Sequence, residues 1–345
     1  MLKHQRKMGI FLNVLVLSAM ALAACGPNEP ASGSQPGLEE EAAFLTRIEE
    51  LQPRDGNQQD ALRVVTTTNI VTDVVASIAG EEVQLTGLVP WGADPHTYQP
   101  TAGDLRAMVD ADVVFINGAG LEQSIYRTLA QVAADVPIIS LSQDLTLRRF
   151  EGELDEGAEH AGEDEHGHEG YDPHVWFDPQ NVRGWVQVVE GALRALDPGH
   201  ADLYAKNAQT YDQALSDLDL WIEAQVASVP AEQRSIVSDH FSFGYFADRY
   251  GFNAVGAVIP AYSTAAEPSA QEMAALSDLI ENTRVPAIFV GVGLNPQLAQ
   301  RLTEDTGIAL VPLYTGALSA PNGPASDYLA MMQYDVQAIV TALTH

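Results

Sequence analysis

The feature that most constrains the fold is an alternation of short apolar strands with amphipathic helices, which occurs twice in the chain. The first alternation covers residues 64–140 and the second covers residues 235–343, with a long helical region between them. Strands that alternate with helices form parallel sheets covered by helices on both faces. We therefore predict an α/β fold of two similar lobes, each a parallel sheet flanked by helices, joined by a helical connector.

The predicted elements of the two lobes resemble each other in number and order. In the first lobe we expect strands at 64–68, 83–89, 113–117 and 137–140, a helix capped by Asn69 and closed by Gly80, and helices at 101–109 and 121–133. The connector is helical at 182–196 and 201–226, with an interruption at 197–199. In the second lobe we expect strands at 235–238, 254–259, 287–290 and 310–314, and helices at 241–250, after Pro268, after Pro296 and at 328–343.

The N-terminus has the pattern of a bacterial lipoprotein signal peptide. Three basic residues precede an apolar run at 10–24 that is too short to span a bilayer. The run ends in Leu22-Ala23-Ala24-Cys25, and Cys25 is the only cysteine of the protein. We predict that Cys25 carries a lipid that anchors the protein to the membrane, the alternative being an ordinary secretory cleavage site. A single cysteine also rules out an internal disulfide.

These patterns predict the following domain boundaries: a signal peptide at 1–24, a lipidated cysteine and flexible tether at 25–60, an N-terminal lobe at 61–180, a connecting helix at 181–230 and a C-terminal lobe at 231–345. The tether begins with a stretch rich in Pro, Gly, Ser and Asn. Residues 38–51 show helical spacing that could give a short amphipathic helix. We nevertheless exclude everything before about Ala61 from the fold.

The strongly acidic composition limits the partners that the protein can have. The formal net charge is -30, which excludes nucleic acid and an anionic membrane surface as binding partners and favours cations. We expect a monomer.

A loop at 151–171 concentrates this charge. Between Glu151 and Asp172 the sequence has ten acidic side chains, no Lys or Arg, and the histidines His160, His166 and His168. Such a stretch has little apolar surface to bury, so we expect a solvated loop. Imidazoles and carboxylates coordinate divalent cations, which makes the three loop histidines candidate accessory metal ligands. The alternative is a charged surface insertion with no further role.

Three other histidines follow predicted strands. His96 lies beyond the strand at 83–89, His174 beyond the strand at 137–140, and His240 beyond the strand at 235–238. Ligands of open α/β sheets bind at the carboxyl ends of the strands, so these histidines can converge in a cleft between the lobes. A lone histidine in such a position is more often structural, whereas three together favour a metal site.

The residues around these histidines fit a site of this kind. The tripeptide Asp-Pro-His occurs twice, ending at His96 and at His174, and the proline restricts the backbone before each histidine. An aspartate precedes each of the three histidines closely, at positions 94, 172 and 239. These aspartates can accept hydrogen bonds from the imidazole rings, although capping of turns explains them equally well.

Several motifs, read together, resemble the zinc- and manganese-binding lipoproteins of bacterial ABC importers. The similarity runs from about Arg63 to the C-terminus and rests on LVPWGADPHTYQPTAGDL, ADVVFINGAGLE, the His-rich loop with DPHVWFDP, SDHFSFGYFADRYG, AEPSA and LYTGALS. The resemblance implies two α/β lobes joined by a long rigid helix, with a metal buried in the cleft between them. It places ligands at His96, His174 and His240, and implies an ABC permease and its ATPase as partners.

The resemblance also indicates which metal is bound. The chain has His as its third ligand and a His-rich loop, and in both respects it resembles the zinc-binding branch of the family. Coordination chemistry agrees, because imidazole suits Zn²⁺ whereas an oxygen-rich ligand set suits Mn²⁺. Many members of this family have an Asp ligand at the position of Gly316, and they often have a Glu at the position of Gly291. The fourth ligand is therefore unknown, and Mn²⁺ remains the alternative. Glu267 is a nearby acid whose simpler role is to cap the helix after Pro268.

The leading hypothesis is a binding protein that captures zinc outside the cytoplasm and delivers it to a permease. A zinc metalloenzyme is a second hypothesis, because three histidines leave an open coordination position for an activated water. The sequence has no HExxH or GxSxG motif and no acid placed as a general base, so we predict that the protein is not an enzyme. A third hypothesis is a metal-dependent adhesin.

Overall fold

The computed structural model describes residues 36–54, 60–149, 170–265, 268–283, 285–292 and 307–344, together with Gln300 and Glu304. The predicted helix after Pro296 and the predicted capping role of Glu267 fall outside these residues. The same holds for Cys25 and for the histidines of the acidic loop.

The described strands form two parallel sheets of four strands each. The first sheet has the order β2-β1-β3-β4 and the second has the order β6-β5-β7-β8, so the two lobes share one topology. The pairing is parallel throughout both sheets. The strands are β1 Leu62–Thr66, β2 Val83–Gly87, β3 Val113–Ile116, β4 Ile138–Ser140, β5 Ser235–His240, β6 Asn253–Ile259, β7 Ala287–Gly291 and β8 Ala309–Leu313.

Helices cover the sheets and connect the lobes. They are α1 Pro36–Ala42, α2 Asn69–Ala79, α3 Ala102–Val109, α4 Tyr126–Val132, α5 Pro179–Leu196, α6 Ala201–Val226, α7 Gly244–Tyr250, α8 Ala270–Thr283 and α9 Tyr328–Thr344. Short 3-10 turns lie at Ile48–Glu50, Leu121–Ile125, Val175–Phe177, Pro198–His200 and Ala231–Gln233. The 26-residue helix α6 packs along α5 and contacts both α2 of the first lobe and α9 of the second. No helix within the described part of the chain is both long and apolar enough to cross a bilayer.

The strands carry apolar side chains on both faces of each sheet, and helices cover both faces. In β3, Val113 and Phe115 join one apolar cluster while Val114 and Ile116 join another, as the period-two geometry of a strand requires. The first of these clusters continues through α5 and α6 into the second lobe, where it includes Phe289 of β7. One core therefore runs through both lobes, and each sheet has a smaller cluster on its outer face. The predicted fold class is confirmed.

Several ends of elements differ from the prediction for local reasons. The N-cap of α2 is Thr68, whose side chain accepts from the Val71 N–H, and not Asn69. Asn69 instead accepts from the Leu318 N–H and donates to the Pro90 carbonyl, so it links the two lobes. Strand β5 extends to His240, which the prediction placed after the strand.

The segment before Ala61 contributes to the fold, in contrast to our prediction of a tether at 25–60. Glu41 of α1 is buried and accepts hydrogen bonds from the backbone N–H groups of Ala119 and Gly120 and from the Tyr126 hydroxyl. Phe44 packs edge-on against Tyr126. The turn at 118–120 has positive φ angles throughout, which orients successive N–H groups towards one anion. The partner of Glu41 lies far along the chain, so the local pattern could not reveal it.

Candidate metal centre

The structure brings the three predicted histidines together between the lobes. His96 lies in the loop after β2, His174 lies after β4 and just before a 3-10 turn, and His240 is the last residue of β5. All three are buried. Both sheets direct their carboxyl ends towards this point, as the strand order predicts for a binding site of an open α/β sheet.

The nitrogen atoms of the three rings converge. Nε2 of His174 lies 3.2 Å from Nε2 of His96 and 3.0 Å from Nε2 of His240. Among the described residues, these three side chains form the group whose ligand atoms could hold a metal ion. Nitrogen ligands at about 2.0–2.1 Å from a tetrahedral Zn²⁺ lie roughly 3.3 Å apart, close to this separation.

Two aspartates fix the orientation of two of the rings. Oδ1 of Asp172 accepts from the backbone N–H of His174 at 3.0 Å and from its Nδ1 at 2.8 Å. Oδ1 of Asp239 accepts from the backbone N–H and from Nδ1 of His240, each at 2.7 Å. A neutral imidazole that donates through Nδ1 presents a lone pair on Nε2. Two such lone pairs face each other here, an arrangement that a cation between them stabilises.

Asp94 has a different role from Asp172 and Asp239. Its Oδ1 accepts from the backbone N–H of His96 at 3.0 Å, and its Oδ2 accepts from the hydroxyl groups of Thr97 and Thr264. Thr264 belongs to the second lobe, so Asp94 links the lobes at the edge of the site. Sequence reasoning gave no signal for this contact, because Thr264 lies far from the Asp-Pro-His motif.

Burial controls protonation at the centre. It lowers the pKa of His96 and of His174 well below the usual value, and the neighbouring histidines lower both further. Burial also raises the pKa of Asp172 to about 7, against the lowering effects of the His174 N–H and the charge of Arg148. The neutral imidazole is the form that coordinates a metal, so these shifts favour binding near neutral pH.

Gly316 borders the same site. It lines a small cavity together with His96, His240, Thr264 and Thr315. A Cβ added at Gly316 would lie 3.2 Å from Cδ of Pro95, and the φ angle at this glycine is not positive. The glycine is therefore compatible with the backbone of any residue, and space rather than conformation limits a side chain there. Gly291 donates its N–H to Oδ2 of Asp239.

Comparisons with known proteins agree with this geometry. The profile of the family described as ZnuA, zinc-uptake complex component A periplasmic, matches residues 64–342. The chain belongs to this family. It is 32% identical over 286 residues to the manganese-binding lipoprotein MntA of Halalkalibacterium halodurans, covering 83% of this chain and 89% of that protein. It is 30% identical over 286 residues to the zinc-binding protein TroA of Treponema pallidum, covering 81% and 88% of the two chains.

Solved structures place the fold in the same family. The periplasmic zinc-binding protein TroA from Treponema pallidum superposes with a TM-score of 0.73 and 29% identity, covering 83% of this chain and all of that one. Members of the ZnuA family are substrate-binding proteins of ABC transporters. The chain is thus a metal-binding substrate-binding protein of an ABC transporter and not an enzyme. The predicted family and the prediction that the protein is not an enzyme are both confirmed.

Proposed function

We propose that this ZnuA-family protein captures Zn²⁺ outside the cytoplasm through His96, His174 and His240 and delivers it to the permease and ATPase of an ABC importer. The observation that carries the proposal is that Nε2 of His174 lies 3.0–3.2 Å from Nε2 of each of the other two rings in the buried cleft. His174 and His240 each donate a hydrogen bond from Nδ1 to an aspartate, which leaves Nε2 for the ion.

Zinc is favoured over manganese by the donor set. Three imidazole nitrogens suit Zn²⁺, whereas Mn²⁺ prefers oxygen ligands, and glycine stands at positions 291 and 316, where an anionic side chain would supply oxygen. Manganese is the second candidate because two of the relatives, MntA and the PsaA lipoprotein of Streptococcus anginosus, are named as manganese-binding.

We propose water as the fourth ligand. The cavity beside His96 and His240 has a volume of about 20 Å³, which is room for a single water-sized ligand. Water requires no ordering of the chain, whereas a histidine from the acidic loop would have to be fixed in each binding event. The acidic protein around the site offsets the double charge that three neutral imidazoles leave on the ion.

Metal competition tests the proposed function directly. Purified protein stripped of metal and titrated with Zn²⁺ and Mn²⁺ should bind one ion of Zn²⁺ tightly, and excess Mn²⁺ should not displace it. Tighter binding of Mn²⁺ would support the second candidate instead. Absence of tight binding of either ion would refute the proposed function.

The layout of the rest of the chain supports delivery at a membrane. We propose a signal peptide at 1–24, a lipid on Cys25, and an accessory metal trap at 151–171 that includes His160, His166 and His168. Relatives named as lipoproteins support the lipid anchor. Cys25→Ser should leave the folded lobes intact and release the protein from membranes, and a wild-type protein without lipid would contradict this part of the proposal.

Deletion of residues 151–169 tests the accessory trap. A metal held on a solvated loop must offset the entropy of ordering that loop, so it binds more weakly than a metal in the cleft. The deletion should remove additional weak Zn²⁺ sites and change the affinity of the cleft by less than about tenfold, or roughly 1.4 kcal/mol. A much larger loss would mean that a loop histidine is a primary ligand.

A further inference from the structure

Arg148 stands beside the metal centre without belonging to the histidine cluster. Its carbonyl oxygen accepts from the backbone N–H of Asp172 at 2.8 Å. The next residue, Arg149, forms an antiparallel bridge with Tyr171. Arg148 is therefore fixed next to Asp172, the residue that orients the ring of His174.

The side chain of Arg148 reaches into the second lobe. Its Nε donates to Oδ2 of Asp248 in α7 at 2.9 Å, and its Nη1 donates to the hydroxyl of Tyr262 at 3.3 Å. Its backbone N–H donates to the hydroxyl of Tyr245 at 2.9 Å, and that hydroxyl donates to the carbonyl of Asp172 at 3.1 Å. One residue of the first lobe thus contacts three residues of the second.

Gly244 shows how closely Arg148 and Asp172 approach α7. A Cβ added at Gly244 would lie within 3.0 Å of both Oδ2 of Asp172 and Nη1 of Arg148, a distance that real Cβ atoms essentially never show. The φ angle of Gly244 is not positive, so the glycine is needed for space. The guanidinium consequently lies near the carboxylate oxygen of Asp172 that has no hydrogen-bond partner among the described residues.

We propose that Arg148 is a positioning residue of the metal centre that acts on both lobes at once. Towards the first lobe, its permanent charge holds the Asp172 carboxylate in the place where it accepts from Nδ1 of His174. Towards the second lobe, its contacts with Asp248 and Tyr262 hold the lobe that carries His240 closed over the ion. This inference rests on the proposed function, since it concerns how long the cleft retains a metal.

Substitution of Arg148 with a matched control tests this inference. The test uses the full chain with Arg148→Gln, and Arg149→Gln as control, because Arg149 undergoes the same loss of charge but contacts Tyr171 on the loop. Zn²⁺ affinity is measured by competition with a chelator, and Zn²⁺ release by rapid mixing with excess chelator. Arg148→Gln should weaken affinity by up to about tenfold, mainly through faster release. Loss of a direct partner of a ligand costs about 10–100-fold, and Arg148 acts on His174 through Asp172. Arg149→Gln should stay within about twofold of wild type.

Two further measurements separate positioning from a general loss of structure. Co²⁺ bound in place of Zn²⁺ should show an altered visible absorption spectrum in Arg148→Gln and the wild-type spectrum in Arg149→Gln, because the spectrum reports the geometry of the ligands. Arg148→Lys should recover part of the affinity, since it keeps the charge near Asp172 but cannot contact Asp248 and Tyr262 together. Asp248→Asn should accelerate release while leaving the Co²⁺ spectrum unchanged.

The outcomes distinguish this inference from the proposed function. If wild type binds Zn²⁺ tightly and Arg148→Gln matches Arg149→Gln in affinity, release and spectrum, the inference is wrong and the function stands. If Arg148→Gln does not fold, Arg148→Lys and Asp248→Asn decide: wild-type release in both overturns the inference, and faster release in both supports it. A wild-type protein that binds neither Zn²⁺ nor Co²⁺ refutes the function itself.

Discussion

The two lobes share one sheet order but present their histidines in different ways. The first lobe supplies His96 and His174 from loops that follow β2 and β4, whereas the second supplies His240 from the end of strand β5 itself. A histidine in a strand is placed by the hydrogen bonds of the sheet. A histidine in a loop needs side-chain contacts to hold it, which Asp94 and Asp172 provide from the same loops; Arg148 in turn holds Asp172.

This difference indicates which contacts metal binding depends on. The loops of the first lobe depend on contacts to the second, such as that of Asp94 with Thr264. One apolar core passes through both lobes and reaches the site at Trp176, whose ring contacts that of His174. Polar contacts between the lobes, such as those of Asp94 and Arg148, add to this core at the site.

Removal of a histidine should have the largest effect. We expect His174→Ala and His240→Ala to abolish tight Zn²⁺ binding to a similar degree, and each loss should exceed the roughly 10–100-fold effect typical of residues that only support a ligand. Calorimetry measures the affinities, and melting temperatures of the metal-free variants serve as the control for folding. Retained tight binding in any two of the three single His→Ala variants would refute the assignment of these histidines as metal ligands.

Acidification should have the next largest effect. The pKa values of His96 and His174 are lowered by burial, so both rings stay neutral below their usual value of about 6.5. Protons then compete with Zn²⁺ for these two rings only at lower pH, so the steep loss of affinity should lie below about pH 6.5. A shallow loss near pH 7 is expected from protonation of Asp172, whose pKa burial raises to about 7. Titrations in matched buffers from pH 5 to 7.5 measure the profile. A steep fall centred above pH 6.5 would contradict the effect of burial.

Much of this arrangement was predictable from the sequence. The period of the apolar residues identified the eight strands of the described part of the chain and the connector, because alternation and helical spacing are local properties. The three histidines were identified because each follows a strand. The buried role of Glu41, the link from Asn69 to Leu318 and the contacts of Arg148 could not be predicted. Each depends on two segments that meet only in the folded chain.

A substitution at Gly316 tests whether an acid in the second lobe reaches the metal. We expect Gly316→Asp to shift the Mn²⁺/Zn²⁺ affinity ratio towards Mn²⁺ by up to about tenfold, because an anionic oxygen is a hard ligand. Pro95 must move by a few tenths of an ångström to admit the Cβ. Gly316→Ala introduces the same Cβ without the carboxylate and is the matched control. A stable Gly316→Asp protein with the ratio of Gly316→Ala would show that position 316 does not face the metal.

The last prediction compares a buried carboxyl group in each lobe and concerns stability, not metal binding. Glu122 of the first lobe accepts from the Thr67 hydroxyl and from the N–H groups of Asn117 and Gly118. Asp335 of the second lobe accepts from the Tyr314 N–H, and its Oδ2 has no hydrogen-bond partner among the described residues. Burial raises the pKa of Glu122 to about 7 and that of Asp335 to about 8.

These carboxyl groups should respond to amide substitution to different degrees, because Glu122 accepts more hydrogen bonds than Asp335 and its pKa is raised less. A raised pKa means that the folded state holds its proton more tightly, so the stability that the group contributes is present at low pH and is lost as pH rises, for Asp335 between about 4 and 8. Asp335→Asn removes this loss, of at most about 1.4 kcal/mol per pH unit, and should gain on wild type as pH rises. Glu122→Gln leaves an N–H donor of the turn at 118–120 facing an amide, which costs about 1–3 kcal/mol. Denaturant unfolding of the metal-free proteins at pH 5, 7 and 9 measures both differences, and an equal gain in stability for the two variants at pH 9 would show that the hydrogen bonds of Glu122 do not distinguish the lobes.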